Sequence, residues 1–440
     1  MRRSLDPVVF PQPTASPRGS PLRVGVLGGP WDTGRKARDG AVLGFEDVNV
    51  ALSRGAAEGQ FTLLVEDFTL FTDYDRMRAF LAGCDTVYAN CGPWAALLHL
   101  VRTRERLATR IIREVRTVGW IGYIWQEEVV RELVAPGDQV VYPSHYCRDT
   151  WADAAAGYGD SLVYYPLASD ALTPGGPSAR SAGTVGFFSA LSQDKGFGYL
   201  APTVERMMAG GHKIHQVVLA GERADPELFD RVAADLARLG VALRYEGMLS
   251  NAAVRQVMRR CDLVFFLSVS SIESLGRIIV EAWEQGIPVV TADFGAAPDL
   301  VADAYRIPVD IEGTVTGPSD RAFAVGRLDV DRWAPPGKLD AGDCFLPAVA
   351  YYRPAAAGVG CPPLVPRIPP QPARRPLNFH YTCDEDASAL AADLLCAPHR
   401  LDGTGLPDLV DLGGSLKRYL LDRGFNPRVQ FARSAHPKTA

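Results

Sequence analysis

The sequence predicts an α/β protein made of two doubly wound parallel sheets. Three observations predict it. The chain has 440 residues, more than one ordinary core accommodates, and a prior of about 150 residues per domain implies two or three units. Short apolar runs of strand length alternate with stretches of helical period, the pattern of parallel strands joined by crossover helices. A Pro-, Gly- and Ser-rich stretch at 166–183 interrupts this alternation, which then starts afresh.

Residues 1–21 are rich in Pro and Ser without periodicity and are expected to be a disordered tail. The first strand follows as Leu22-Arg-Val-Gly-Val-Leu27, ending in Gly28-Gly29-Pro30, with a helical pattern through Val42, Phe45, Val48 and Leu52 to a stop at Gly55. Further buried strands are expected at 61–66, 86–89, 117–121 and 139–142, with a helical stretch over 94–116. These elements make a first domain over 22–165, and 166–183 is the hinge. The second series has apolar runs at 184–188, 217–221, 242–245, 263–267 and 288–291, in a domain over 184–400. From about 303 to 382 the pattern breaks into Pro-, Gly- and Asp-rich sequence such as Trp333-Ala-Pro-Pro-Gly337, read as a long irregular insertion. Helical patterning returns at 386–395 and in a carboxy-terminal helical segment over 401–440. Each half is thus Rossmann-like.

Composition narrows the function. A net charge of −5 argues against nucleic acid as the main partner, which requires a basic field. The eight cysteines include no C-x-x-C pair and no dense cluster, and read as buried thiols in a reducing cytoplasm. No apolar run reaches the ~18 residues of a membrane span.

The most informative stretch is Ser271-Ile-Glu-Ser-Leu-Gly-Arg-Ile-Ile-Val-Glu281, which follows an apolar strand. Ser274 is expected to cap a helix whose apolar positions Ile278, Ile279, Ala282 and Trp283 share a face, and Gly286 ends it before Pro288. Glu273 then stands just before the helix and Glu281 about two turns along it. The helix start, with the N–H groups of Leu275 and Gly276, is an anion site at the ends of parallel strands.

These residues resemble the E-x₇-E motif of the family 4 retaining glycosyltransferases, which have the GT-B fold of two Rossmann-like domains facing a cleft. Leu191-Ser-Gln-Asp-Lys-Gly196 is similar to the family's phosphate loop, and 217–221, 244–250 and 292–298 match in order and spacing. The resemblance is good over roughly 185–300 and loose in the first half, where it includes Val141-Tyr-Pro-Ser-His145. It implies that Glu281 holds the ribose of a nucleotide, Glu273 approaches the donor sugar, and Lys195 neutralises the diphosphate. Ser189, Leu275, Gly276, Met248, Leu249 and Gly40 are the other nucleotide-site residues that it implies. It implies no cofactor, a nucleoside diphosphate sugar (GDP- or UDP-) as donor, and a small polar hydroxyl or thiol acceptor. High Ala, Arg and Gly usage adds an actinobacterial, natural-product or thiol-pathway setting to these expectations.

Two departures leave alternatives open. The phosphate loop has Ala190 where the family usually has Arg, which admits a nucleotide-binding pseudoenzyme. The amino-terminal glycine loop is reduced to Asp39-Gly40; Gly28-Gly29, or Arg35, Lys36 and Arg38, are the substitutes. A basic run, Arg102, Arg104, Arg106, Arg110, Arg113 and Arg116, is either a solvated helix face or a lipid contact, and the latter admits a peripheral membrane transferase with a lipid acceptor. Trp120, Tyr123, Trp125 and Gln126 are candidates for the acceptor side or for core packing. Asp73-Tyr-Asp75 and Asp329-Val-Asp331 read as capping or solvated pairs, and His212 with His215 lacks a third metal ligand.

Overall fold

The computed structural model describes residues 21–27, 49, 52–53, 55–67, 70, 73–89, 95–114, 133–150, 160–163, 182–193, 195–269, 273–316 and 322–352. They form two six-stranded parallel sheets. The first contains β1 (Arg23–Leu27), β2 (Thr62–Glu66), β3 (Thr86–Ala89), β4 (Arg110–Glu114), β5 (Gln139–Tyr142) and β6 (Asp160–Val163), ordered β2-β1-β3-β4-β5-β6. Helices α1 (Tyr74–Gly83), α2 (Ala95–Arg104) and α3 (His145–Thr150) connect its strands.

The second sheet contains β7 (Thr184–Phe188), β8 (Gln216–Ala220), β9 (Ala242–Tyr245), β10 (Leu263–Phe266), β11 (Val289–Ala292) and β12 (Arg306–Ile307), ordered β12-β11-β10-β7-β8-β9. Its crossover helices are α4 (Leu200–Ala209), α5 (Pro226–Arg238), α6 (Asn251–Met258) and α7 (Arg277–Glu284). Both orders reverse beside the first strand of the sheet, as in doubly wound folds. The α/β class with two Rossmann-like sheets is therefore as the sequence predicts.

Local chemistry explains why the second domain was so legible. β7 and β10 are buried along their whole length, so they read as continuous apolar runs. In α5, Pro226 opens the helix, Asp225 accepts a hydrogen bond from the Leu228 N–H at 2.9 Å, and Leu228, Val232 and Leu236 recur every fourth residue on the buried face. Burying each such side chain contributes roughly 1.5–3 kcal/mol.

Three expectations are corrected. The stretch 94–116 is not one helix: α2 ends at Arg104, and Arg110–Glu114 is strand β4. The helix before β2 does not stop at Gly55 but includes residues 55–57, with the turn at Gly59, whose φ is +75°. Within the expected irregular insertion, β12 extends the parallel sheet, and β13 (Val309–Thr316) pairs with β14 (Ala322–Leu328) as an antiparallel hairpin. Beyond it Trp333 is buried, with its indole N–H donating to the Ala304 carbonyl at 3.1 Å while its own carbonyl accepts from Arg206 at 2.8 Å. The Pro-rich run after Trp333 packs on the domain instead of leaving it. The tail, residues 164–181 of the hinge region, and residues 353–440 lie outside the described residues, as do the strand expected at 117–121 and the carboxy-terminal helical segment.

The basic run divides in an unexpected way. Arg102 is 1% exposed and Arg113 is fully buried. Arg102 donates to both oxygens of Asp138, at 2.6 and 2.7 Å, and to the Leu133 carbonyl at 2.6 Å. Asp138 also accepts from the N–H groups of Ile111 and Ala135. Burial, then the neighbouring Arg102 and Arg113, push the His99 imidazole well below its ordinary pKa. A neutral ring leaves Nδ1 able to accept from Arg102, 3.3 Å away. This cluster ties α2 to β4 and β5. Removing one member of a buried pair strands the other charge, at a cost of about 3–5 kcal/mol. Arg102→Ala should lower the urea midpoint of the first domain accordingly, and an unchanged midpoint would disprove this account of the cluster.

Candidate active site

The loops that leave the carboxyl ends of β7 and β10 meet at the reversal point of the second sheet. Gly196 makes the meeting possible: its φ is +75°, and a β-carbon there would lie 2.0 Å from the Leu267 carbonyl oxygen. Only glycine meets both conditions. Lys195, one residue earlier, extends its ammonium to Glu273 Oε2 at 2.8 Å, and the Ser268 hydroxyl lies 3.5 Å from the same oxygen. Both partners of the pair are about one-fifth to one-quarter exposed. The phosphate-loop lysine and the first glutamate of the motif, 78 residues apart, are thus one ion pair standing across the crevice where α/β sheets bind ligands.

Glu273 is followed by the start of α7. The helix is capped by Gly276, with φ of +77°, and not by Ser274 as expected. A β-carbon at Gly276 would lie 2.7 Å from the Phe266 ring, so the chain turns tightly against β10 before the helix begins. Ser274 is engaged elsewhere: its carbonyl accepts a hydrogen bond from the Ser144 hydroxyl of the first domain. About one turn into α7, not the two expected from a start at Ser274, Glu281 is only 3% exposed. Its Oε1 accepts from Asn251 Nδ2 at 2.9 Å and from Arg277 Nε at 3.3 Å, with Arg255 Nη2 3.8 Å away.

The remaining predicted residues of this domain lie on the loops that follow its strands. Ser189 follows β7, and its carbonyl packs so closely on Gly221, after β8, that a β-carbon there would approach to 1.8 Å. The Gly221 N–H donates to the Gly247 carbonyl at 3.0 Å, placing the Gly247-Met248-Leu249 turn beside both loops. Met248 is exposed and Leu249 is half-buried against the core. Leu275 is buried at the approach to α7. Gly40, Gly28-Gly29, Arg35, Lys36 and Arg38 lie outside the described residues, as do 120–126.

Residues 182–325 match the family model described as Glycosyl transferases group 1. This stretch is a glycosyltransferase domain. It holds every site residue just described except those contributed by the first domain. No curated protein matches the chain. Among solved structures, the chain is similar to HepE of Anabaena, solved in complex with UDP and glucose, at 18% identity over 63% of this chain and 82% of that one, with a TM-score of 0.44. A glycosyltransferase from Rickettsia africae is 13% identical over 63% and 81% of the two chains, with a TM-score of 0.43. AviGT4, a glycosyltransferase involved in avilamycin A biosynthesis, is 14% identical over 94% and 98%, with a TM-score of 0.41.

The first domain reaches the glycosyltransferase domain through residues that sequence reasoning did not single out. Besides Ser144, Tyr146 stands with its ring 6.3 Å from that of Phe294, and a β-carbon at Gly295 would lie 3.8 Å from the Glu273 carbonyl oxygen and 3.9 Å from the Tyr146 ring. Burial raises the pKa of the Tyr146 phenol, and the nearby Cys147 and Glu273 raise it further. The signal was in the Tyr-Pro-Ser-His match before the hinge, though nothing local told which side chains would cross.

Lesser signals resolve as structural. Asp73 caps α1 by accepting from the Arg76 N–H, and Asp329 accepts from the Arg332 N–H. His212 contacts the Pro336 carbonyl at 2.8 Å. Among the described residues no group of three or more His, Cys, Asp or Glu is placed to hold a metal ion. Cys84, Cys147, Cys261 and Cys344 are free and buried, and burial pushes the thiols of Cys84, Cys261 and Cys344 up to about 12. No helix of the described residues is long and apolar enough to cross a membrane. The basic run offers no continuous face for lipid, since Arg102 and Arg113 are buried and Arg110 and Arg113 belong to a strand.

Proposed function

We propose that the protein is a retaining, metal-independent glycosyltransferase that moves a sugar from a GDP- or UDP-sugar to a small polar hydroxyl or thiol acceptor. The observation that carries the proposal is the Lys195–Glu273 pair at the reversal point of a glycosyltransferase domain, with α7 starting four residues after Glu273. The two charges of the pair face each other at 2.8 Å. A donor exchanges both partners: Lys195 turns to the diphosphate, and Glu273 accepts hydrogen bonds from the sugar. The N–H groups of Leu275 and Gly276 add fixed donors that need no reorganisation as charge grows on the leaving group.

In the reaction the bond between the anomeric carbon and the diphosphate oxygen breaks. The acceptor oxygen or sulfur bonds the same face of that carbon, and its proton passes to the departing phosphate oxygen. Glu273 orients the sugar in this scheme and does not itself attack. A natural-product acceptor fits the composition of the chain; turnover with small polar acceptors tests it against a pseudoenzyme.

Two experiments test the mechanism. NMR of the product should show the anomeric configuration of the donor, and an inverted product rejects same-face transfer. Transfer should also persist in excess chelator; complete loss that a divalent cation restores would show that Lys195 and the N–H groups are insufficient for the diphosphate.

A further inference from the structure

The contacts of Glu281 are one-sided. Asn251 and Arg277 both donate to Oε1, Arg255 Nη2 stands 3.8 Å from the same oxygen, and among the described residues no hydrogen bond is made to Oε2. We infer that Asn251 and Arg277 are positioning residues for the nucleotide: they hold the Glu281 carboxylate by Oε1, so that Oε2 is the oxygen presented to a ribose hydroxyl. This rests on the reading of Glu281 as the ribose-binding group.

Local helix physics does not account for the pairing of Arg277 with Glu281. It is the first residue of α7, where the helix dipole disfavours a positive charge. Its pairing with Glu281 runs from cation to anion along the helix, which is the weaker order for a pair four residues apart. Both terms work against the helix, yet the guanidinium is mostly buried and stands 3.3 Å from the carboxylate.

Asn251 adds a connection that Arg277 does not. It is the first residue of α6, directly after the Ser250 cap, which accepts from the Ala253 N–H. The turn at Gly247-Met248-Leu249 immediately precedes that cap. The Asn251–Glu281 hydrogen bond therefore links this exposed turn to the carboxylate 30 residues away. A nucleotide whose base lies on the turn meets a ribose acceptor already fixed relative to it, which removes the ordering cost of a mobile glutamate.

The test compares, by calorimetry, UDP and GDP with their 2′,3′-dideoxy forms. For whichever base binds, the wild-type protein should prefer the ribose form by about ten- to a hundredfold, the worth of a charge-assisted hydrogen bond. In Asn251→Ala and Arg277→Leu, each shown to be folded by circular dichroism, the preference should shrink to roughly fivefold or less, while affinity for the dideoxy form barely changes. A merely structural role would lower both affinities together. Full retention of the wild-type preference in both folded variants overturns the inference and leaves Glu281 as the ribose group. Absence of any preference in the wild-type protein overturns the ribose reading itself, and the inference with it.

Discussion

Replacing Lys195 by Ala should lower turnover about a hundred- to thousandfold, the usual penalty for removing one preorganised donor from a developing negative charge. Nucleoside diphosphate affinity should fall as well, and for two reasons. The ammonium is lost as a partner of the diphosphate, and Glu273, now without the cation 2.8 Å away, repels it. Restoring neutrality separates these effects: Lys195→Ala combined with Glu273→Gln should recover part of the lost affinity but none of the turnover. Calorimetry and steady-state kinetics on the single and double variants check this. If Glu273→Gln recovers no affinity in the Lys195→Ala background, the exchange of partners in the crevice is wrong.

The second large effect separates the two glutamates. Glu281→Gln should weaken free nucleoside diphosphate and intact donor alike, roughly ten- to a hundredfold, because the ribose is common to both. Glu273→Gln should have the opposite sign for free nucleotide. Lys195 then no longer has to leave an anionic partner, so affinity for the nucleoside diphosphate should rise a few-fold, on the order of 1 kcal/mol for a pair that is partly open to water. Turnover should nevertheless fall, since the sugar loses the carboxylate that orients it. Equal losses of nucleotide affinity in both variants would show that the roles are not divided in this way.

Much of this was written locally in the chain. Strands β7 and β10 are apolar runs because parallel strands covered on both faces have no polar side to show, and the α5 boundaries are set by Asp225, Pro226 and the fourfold spacing of its leucines and valine. The motif around Glu273 and Glu281 is likewise a property of one helix and the residues before it. Where local signals conflicted, they misled. Arg110 and Arg113 continue a basic run that resembles a helix face, yet Arg113 is buried in β4 beside a cluster whose counter-charge comes from another strand end.

What only the tertiary structure decided is which distant groups meet. Lys195 and Glu273 are joined because β7 and β10 are neighbours in the sheet although β8 and β9 intervene in sequence. Ser144 reaches Ser274 across 130 residues and from one domain to the other. Asn251 and Glu281 lie on different helices, and Glu281 is buried because both pack on one core. The sequence by itself determined most helices and strands of the second domain and the residue types of the site, since propensity and periodicity are read within a few residues. Strand order, and with it the pairing of charges across the crevice, depends on the burial of whole elements, a long-range free energy that no window of sequence contains.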